Sequence, residues 1–231
     1  MNDVLVVRGA HSGIFMQVLD DHNDMHLALC DMSVNEHIDI PYLREKERIL
    51  QGAKAIAFDP SLPVPVLEYL LDHYAKKPLF LDPVSDLYAE KIRPYLSKIY
   101  AVKPNRTELE VFADMKIAAK EDLIEAGKRV LDKGVQRLYV SLGKDGCLYM
   151  DHDQVIEKAF RTETDIVNAS GAGDSFFAGI IYGYMNDLSV EESLDYALAA
   201  GILAIRSDQP ISADMNKQEL QKIIKENEEW K

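Results

Sequence analysis

The chain has 231 residues, 47% apolar and 28% charged, ordinary for a soluble α/β unit with a sizeable core. Its 39 acidic residues outweigh 26 basic ones, and a net charge of −13 argues against binding nucleic acid or an anionic membrane through charge. Two cysteines, Cys30 and Cys147, are too few for a disulfide framework and wrongly spaced for a metal, which points to a reducing cytoplasm.

The chain opens on Met1-Asn2-Asp3, without the basic and apolar regions of a signal peptide, and no apolar run reaches membrane-spanning length. Residues 14–19 and 25–30 are rich in β-formers and joined by Asp20-Asp21-His22-Asn23-Asp24, which predicts a hairpin. Those acids lack the sixth-position glycine of a calcium loop and read as a solvated turn. Residues 41–51 predict a charged helix with Pro41 in its first turn. Short apolar strands and helices then alternate: strand 55–58, helix 64–74, strand 79–81, helix 88–96, strand 99–102. Asn105 caps the next helix, and Leu123, Ile124, Val130 and Leu131 mark another that ends at Gly134. A buried strand at 138–141 is followed by antiparallel additions at 148–150 and 155–160, and helices fill 171–185, 190–205 and 214–227. This alternation predicts an α/β fold with a mainly parallel sheet. With no linker or repeat to divide it, the chain reads as one domain over 1–231, with a small β lid over roughly the first 35 residues and the α/β core after it.

The densest chemical signal is Asn168-Ala169-Ser170-Gly171-Ala172-Gly173-Asp174-Ser175, which runs straight into a helix with Phe176, Phe177, Ile180, Ile181 and Tyr184 on one face. Glycines just before a helix leave N–H groups uncovered, and with the helix dipole these make an anion site. Asp174 in the same turn repels phosphate. Either it serves chemistry, by taking a proton from an attacking hydroxyl, or it is the acid that the dipole favours there anyway. A Walker A loop is excluded because Gly143-Lys144 is followed by Asp145, and a dinucleotide fingerprint because Phe176 stands at the third glycine. Asp59, Asp82, Asn105, Ser141 and Gly143 all fall at or just past the end of a strand, where open α/β sheets bind ligands and where turns favour these residue types in any case. Asn105 with Glu108 reads as a capping box or as part of a metal-linked site. Asp59 and Asp82 either turn the chain before a proline or line the cleft.

In this order the motifs resemble those of the ribokinase-like (PfkB) carbohydrate kinases. Residues 170–174 are similar to that family's C-terminal signature, 102–108 to its Lys-Pro-Asn-x-x-Glu motif, and 140–146 to its nucleotide-binding strand and turn. The similarity spans about Gly13 to Ser212, with Tyr196 to Ile205 matching the helix that flanks the adenine site. The resemblance implies a three-layer α/β/α domain with a β lid, and ATP-dependent transfer of phosphate to the hydroxyl of a sugar or nucleoside. It implies Gly171, Ala172 and Gly173 as the anion hole, Asp174 as base and substrate contact, and Asn105, Ser141, Gly143, Gly146 and Gly173 as nucleotide contacts. Glu108 is expected to organise Mg²⁺, directly or through water, and Asp59 to meet the substrate. Phe58-Asp59-Pro60, Leu81-Asp82-Pro83-Val84-Ser85, the Pro-Asn-Arg-x-Glu run and Asn168 are most similar to the pseudouridine kinases, with ribokinase- or fructokinase-type acceptors as the alternative. The implied partners are ATP and a small molecule, with no nucleic acid or membrane; a homodimer through the lid is compatible with this layout.

Two departures shape the expectations. Family members begin with a strand and a Gly-Gly/Asn segment that supplies most sugar contacts, and nothing in residues 1 to 13 matches it. The expected form is therefore shortened at its N-terminus: it binds ATP·Mg²⁺ and turns over acceptors poorly, as a nucleotide-binding fragment would. Asn168 stands where ribokinases carry the Asp linked to activation by a monovalent cation, so potassium dependence is not carried over.

Overall fold

In the short strands alternate side chains point to opposite faces, and here both faces are apolar, the pattern of a sheet covered on both sides. The computed structural model describes residues 3–19, 25–161, 167, 168 and 170–228. The hairpin turn 20–24 and Ala169 lie outside the described residues. Strands β1 (Ile14–Leu19) and β2 (Met25–Asp31) form a separate antiparallel ribbon, with Ile14 opposite Asp31 and Val18 opposite Leu27. The six-stranded sheet runs β3 (Ile56–Phe58), β4 (Leu79–Leu81), β5 (Ala101–Val102) and β6 (Arg137–Ser141) in parallel. Strands β7 (Cys147–Met150) and β8 (Val155–Lys158) then add antiparallel to the β6 edge.

Register turns this alternation into two cores. Phe58, Leu81, Val102, Leu138 and Met150 pair across successive strands and form one apolar row. That face is covered by α1 (Ile40–Glu45), α3 (Val64–His73), α4 (Asp86–Ile92), α5 (Arg106–Ala113) and α6 (Lys120–Asp132), which bury Leu67, Leu71, Ile92, Phe112 and Val130 against it; α2 (Glu47–Gly52) lies between α1 and β3. On the opposite face Phe80, Ala101, Tyr139 and Tyr149 meet α7 (Ala172–Met185), α8 (Val190–Ile205) and α9 (Lys217–Glu228) through Phe176, Ile180, Leu198 and Ile223. Helices therefore cover both sides of a mainly parallel sheet, the three-layer arrangement.

Several boundaries differ from the sequence reading, among them the strand expected at 99–102, which is only Ala101–Val102. The stretch 41–51 is two helices, divided at Lys46, whose backbone at φ −89° and ψ 7° leaves helical geometry. The helix expected at 88–96 starts at Asp86, where Ser85 accepts the Tyr88 N–H, and gives way to a 3₁₀ turn at Arg93–Lys98, because Pro94 has no N–H to continue the ladder. Strand β8 stops at Lys158, although Phe160 is still buried in the second core. Helix α9 starts at Lys217, where Asn216 accepts the N–H groups of Gln218 and Glu219.

The described apolar side chains of the β1–β2 ribbon stand half in water. Ile14, Phe15, Met16 and Leu29 are between 53% and 57% exposed, and Phe15 lies on the face opposite Ile14 and Met16. An unforeseen 3₁₀ turn at Ser33–His37 joins the ribbon to α1, and within it Asn35 donates to the Ser61 hydroxyl at 2.8 Å.

Candidate active site

The N-terminus of α7 is set by Gly171, which caps the helix in the left-handed region at φ 79°. A side chain there would collide with the Pro210 carbonyl oxygen and come within 2.8 Å of its carbon, so only glycine lets the 205–210 segment cross so closely. That crossing is tied down by Val167 N–H to Ile205 O at 2.9 Å and by Asn168, which donates to Asp208 O at 3.3 Å. Asn168 also accepts the Ser170 N–H at 2.9 Å and so shapes the turn itself. Ser175 N–H is the first to bond back into the helix, to Gly171 O. The N–H groups of Ala172, Gly173 and Asp174 therefore precede the intrahelical ladder and face the helix start, where the dipole is positive. The Asp174 side chain is exposed in that same turn.

A second element converges on this turn. After β5 the chain carries buried Lys103 and Pro104 and then Asn105, which caps α5. The capping box is complete: Asn105 Oδ1 accepts the Glu108 N–H at 2.9 Å, and Glu108 Oε2 accepts the Asn105 N–H at 2.8 Å. Asn105 also bridges Ser141 at the end of β6, which carries the parallel pairing three residues past the end of β5. Two expected nucleotide contacts, Asn105 and Ser141, thus share one sheet edge. Gly143 sits exposed in the 3₁₀ turn after it, and Gly146 is buried against Lys158 and Ala159 where β7 begins.

The electrostatic centre is a pair whose members the sequence reading named separately, Asp82 as a turn or cleft residue and Lys103 within the 102–108 motif, without foreseeing their contact. Lys103 Nζ lies 3.0 Å from Asp82 Oδ2, with both side chains nearly buried. The same ammonium lies 3.3 Å from where a Cβ on Gly173 would be, so it sits directly beneath the α7 turn. Burial, opposed by Lys103 and reinforced by Asp174, raises the Asp82 carboxyl above its ordinary range. Glu108 is 2% exposed, and burial pushes it up to about 7, opposed by its bond from the Asn105 N–H and by Lys103. Lys103 thus acts on two carboxylates, Asp82 and Glu108, and Asp174 acts on Asp82. The available signals were an Asp directly after the apolar strand β4 and a Lys directly after β5, positions that parallel strands carry to one edge.

Mg²⁺ fits this donor set. It keeps several waters and takes one or two carboxylates together with phosphate oxygens, and a local surplus of negative charge favours a divalent cation. Among the described residues no three His, Cys, Asp or Glu side chains form a metal cage. Asp59 stands apart from this group in the contacts it makes: its carboxylate accepts the Ser61 N–H at 2.7 Å and turns the chain after β3, while Lys91 holds the same loop through Pro60 O and Leu62 O. On the outer side of Asp174, between α7, α8 and α9, lies an apolar cavity of about 500 Å³ that includes Tyr182, Tyr196, Ile211 and Met215. Among the described residues no helix is long and apolar enough to cross a membrane.

A helix start suited to an anion, a carboxylate in its first turn and a polar strand edge thus meet on one side of an α/β/α sheet. The pfkB family carbohydrate kinase profile matches residues 2–217, and the chain belongs to that family. It is 29% identical over 212 residues to the pseudouridine kinase of Escherichia coli (strain K12), covering 92% of this chain and 68% of that one. A sugar kinase structure from Clostridium perfringens superposes with a TM-score of 0.83 at 30% identity, over 99% of this chain and 71% of that one. Arabidopsis thaliana ribokinase, solved with ribose and ATP, shares the fold at a TM-score of 0.68 and 22% identity, over 78% of this chain and 59% of that one. The fold is ribokinase-like, and the chain spans roughly 60–70% of the length of these relatives.

Proposed function

We propose that this chain carries out ATP-dependent phosphorylation of a sugar or nucleoside hydroxyl in the cytoplasm, with pseudouridine the first acceptor to test. The observation that carries this reading is Asp174, exposed in a helix first turn whose leading N–H groups precede the helical ladder, above a buried lysine. The likeness to a pseudouridine kinase over most of the chain supports the choice of acceptor.

Residues 171–174 would receive the γ-phosphoryl group, with the N–H groups of Ala172 and Gly173 hydrogen-bonded to its equatorial oxygens. Asn105, Ser141, Gly143 and Gly146 would line the nucleotide path along the sheet edge, and Glu108 would hold Mg²⁺ directly or through water. Mg²⁺, when bound with the nucleotide, neutralises phosphate charge. The acceptor oxygen bonds to the γ-phosphorus as the bond to the leaving diphosphate oxygen breaks, and Asp174 orients the hydroxyl and takes its proton. Oriented amides stabilise the developing charge without reorganising, which is what phosphoryl transfer needs most.

Titration calorimetry with ATP·Mg²⁺, followed by a coupled assay on pseudouridine, ribose, fructose and adenosine, tests the two halves separately. Binding of ATP·Mg²⁺, with slow turnover of one acceptor that is lost in Asp174→Asn, is the expected result. No ATP·Mg²⁺ binding, or unchanged turnover in Asp174→Asn at saturating acceptor, would overturn it.

A further inference from the structure

We infer that Asp82 is a positioning residue for phosphoryl transfer: it pins the Lys103 ammonium beneath the residue 171–174 turn, where that ammonium meets the transferred phosphoryl group. This rests on the reading of the turn as the phosphoryl site.

Three observations carry it. The first is the pair itself. Lys103 Nζ and Asp82 Oδ2 are 3.0 Å apart, with side chains only 6% and 10% exposed. Taking two charges out of water costs about as much as their attraction returns, so such a pair is a weak device for stability and calls for another account.

The second is the backbone that aims Asp82. Its other oxygen, Oδ1, accepts the Val84 N–H at 3.1 Å, and Val84 is held at φ 65°. A β-branched residue in the left-handed region is strained, and a loop that needed only to turn after Pro83 would place glycine or asparagine there. Val84 is 56% exposed, so packing of its own side chain does not explain the conformation. Strain of this kind persists where surrounding structure over-determines a site. Here it leaves Asp82 with one oxygen fixed by the backbone and the other on Lys103.

The third is where the ammonium points. It lies 3.3 Å from the position a Gly173 Cβ would take, so the missing side chain leaves a direct line from Nζ to the turn. A lysine stem is long and flexible, and its head is a strongly hydrated point charge. Unpinned, it would swing to Asp174 or to water; held by Asp82 it is a fixed positive charge under the anion site, in a protein of net charge −13. Lys103 exchanges no proton in the step. It stabilises charge on the equatorial and leaving oxygens while the acceptor proton goes to Asp174.

The test compares Asp82→Asn, Lys103→Met and the double variant by kcat, KM for ATP·Mg²⁺ and thermal midpoint. Asp82→Asn is expected to lower kcat by ~10²-fold, the usual worth of one preorganised charge-stabilising group, with KM for ATP·Mg²⁺ changed far less. Because Asp82 acts through Lys103, the double variant should be no slower than Lys103→Met alone. Wild-type kcat in Asp82→Asn or Lys103→Met, or a full second loss on adding Asp82→Asn to Lys103→Met, would overturn the inference. Should Asp82→Asn fail to fold with its lysine stranded, the double variant removes both charges, and wild-type kcat in it would be equally fatal. Where no acceptor turns over, the affinity for Mg²⁺·ADP–aluminium fluoride relative to Mg²⁺·ADP makes the same comparison, with loss of the preference expected in each variant and its retention refuting the idea. A wild-type protein that binds no ATP·Mg²⁺ sinks the functional reading; a wild type that works beside unaffected variants sinks only this inference.

Discussion

Replacing Gly171 by alanine separates the architecture of the phosphoryl turn from its chemistry. Two costs add in the folded state. Alanine in the left-handed region, at the φ of 79° that Gly171 adopts, costs about 1–2 kcal/mol. The added Cβ would also overlap the Pro210 carbonyl oxygen and lie 2.8 Å from its carbon and 3.1 Å from its Cα. These are backbone atoms tied to residues 167 and 168, so relief requires the whole crossing to shift, with an overpacking cost of about 1–3 kcal/mol. Loss of glycine's freedom in the unfolded chain returns about 0.5–1 kcal/mol. The net expectation is a loss of about 2–4 kcal/mol, a large share of the stability of an ordinary domain. Urea unfolding followed by circular dichroism should show a lower midpoint at unchanged slope. Gly173→Ala is the internal control. Its Cβ would meet only the far end of Lys103, at 3.3 Å, inside a helix first turn where alanine is favoured over glycine. It should therefore keep its stability while ATP·Mg²⁺ affinity or kcat falls. A Gly171→Ala protein within about 0.5 kcal/mol of wild type, or a Gly173→Ala protein as destabilised as Gly171→Ala, would refute the reasoning.

Asp174→Asn should retain ATP·Mg²⁺ affinity by calorimetry but lose ~10²–10⁴-fold in kcat, the worth of a positioned base; near-full turnover would exclude the role. Glu108→Gln keeps the capping box, since glutamine can accept the same N–H, but should raise the Mg²⁺ needed for half-maximal activity. The folded-state pKa of Glu108, about 7, lies above its ordinary 4.5, so protonation favours the folded chain. Without metal, that contribution is complete below pH 4.5 and is lost as pH rises through about 7, on the order of 3 kcal/mol in all. Denaturant midpoints from pH 4.5 to 8 should show this fall in wild type and not in Glu108→Gln; equal slopes in the two would refute it. Burial pushes the Cys147 thiol up to about 12, whereas Cys30 is exposed on the β1–β2 ribbon. Alkylation of the native protein at pH 8 should therefore modify one thiol by mass, and rapid modification of both would show that Cys147 is reachable.

Much of this protein is legible along the chain because the signals are local. Short continuous apolar runs such as Leu79–Leu81 and the centre of Arg137–Ser141 encode strands buried on both faces, and helical periodicity after Gly173 encodes α7. The capping pair Asn105 and Glu108 needs only three residues of spacing, and the anion-binding turn only its glycines and the helix that follows. Boundaries were less legible where one residue decides them: Lys46 leaves helical geometry and divides the 41–51 helix, and Asn216 delays α9 by capping it. Tertiary structure alone decided which strand ends become neighbours, because parallel pairing joins residues separated by whole helices. It set Asp82 against Lys103 across the β4 and β5 ends, brought Ser141 to Asn105, and placed the lysine under Gly173 from a helix seventy residues further on. Buried ion pairs leave no periodic trace, since a Lys or Asp just past a strand reads as a solvated turn residue until the fold removes the water around it.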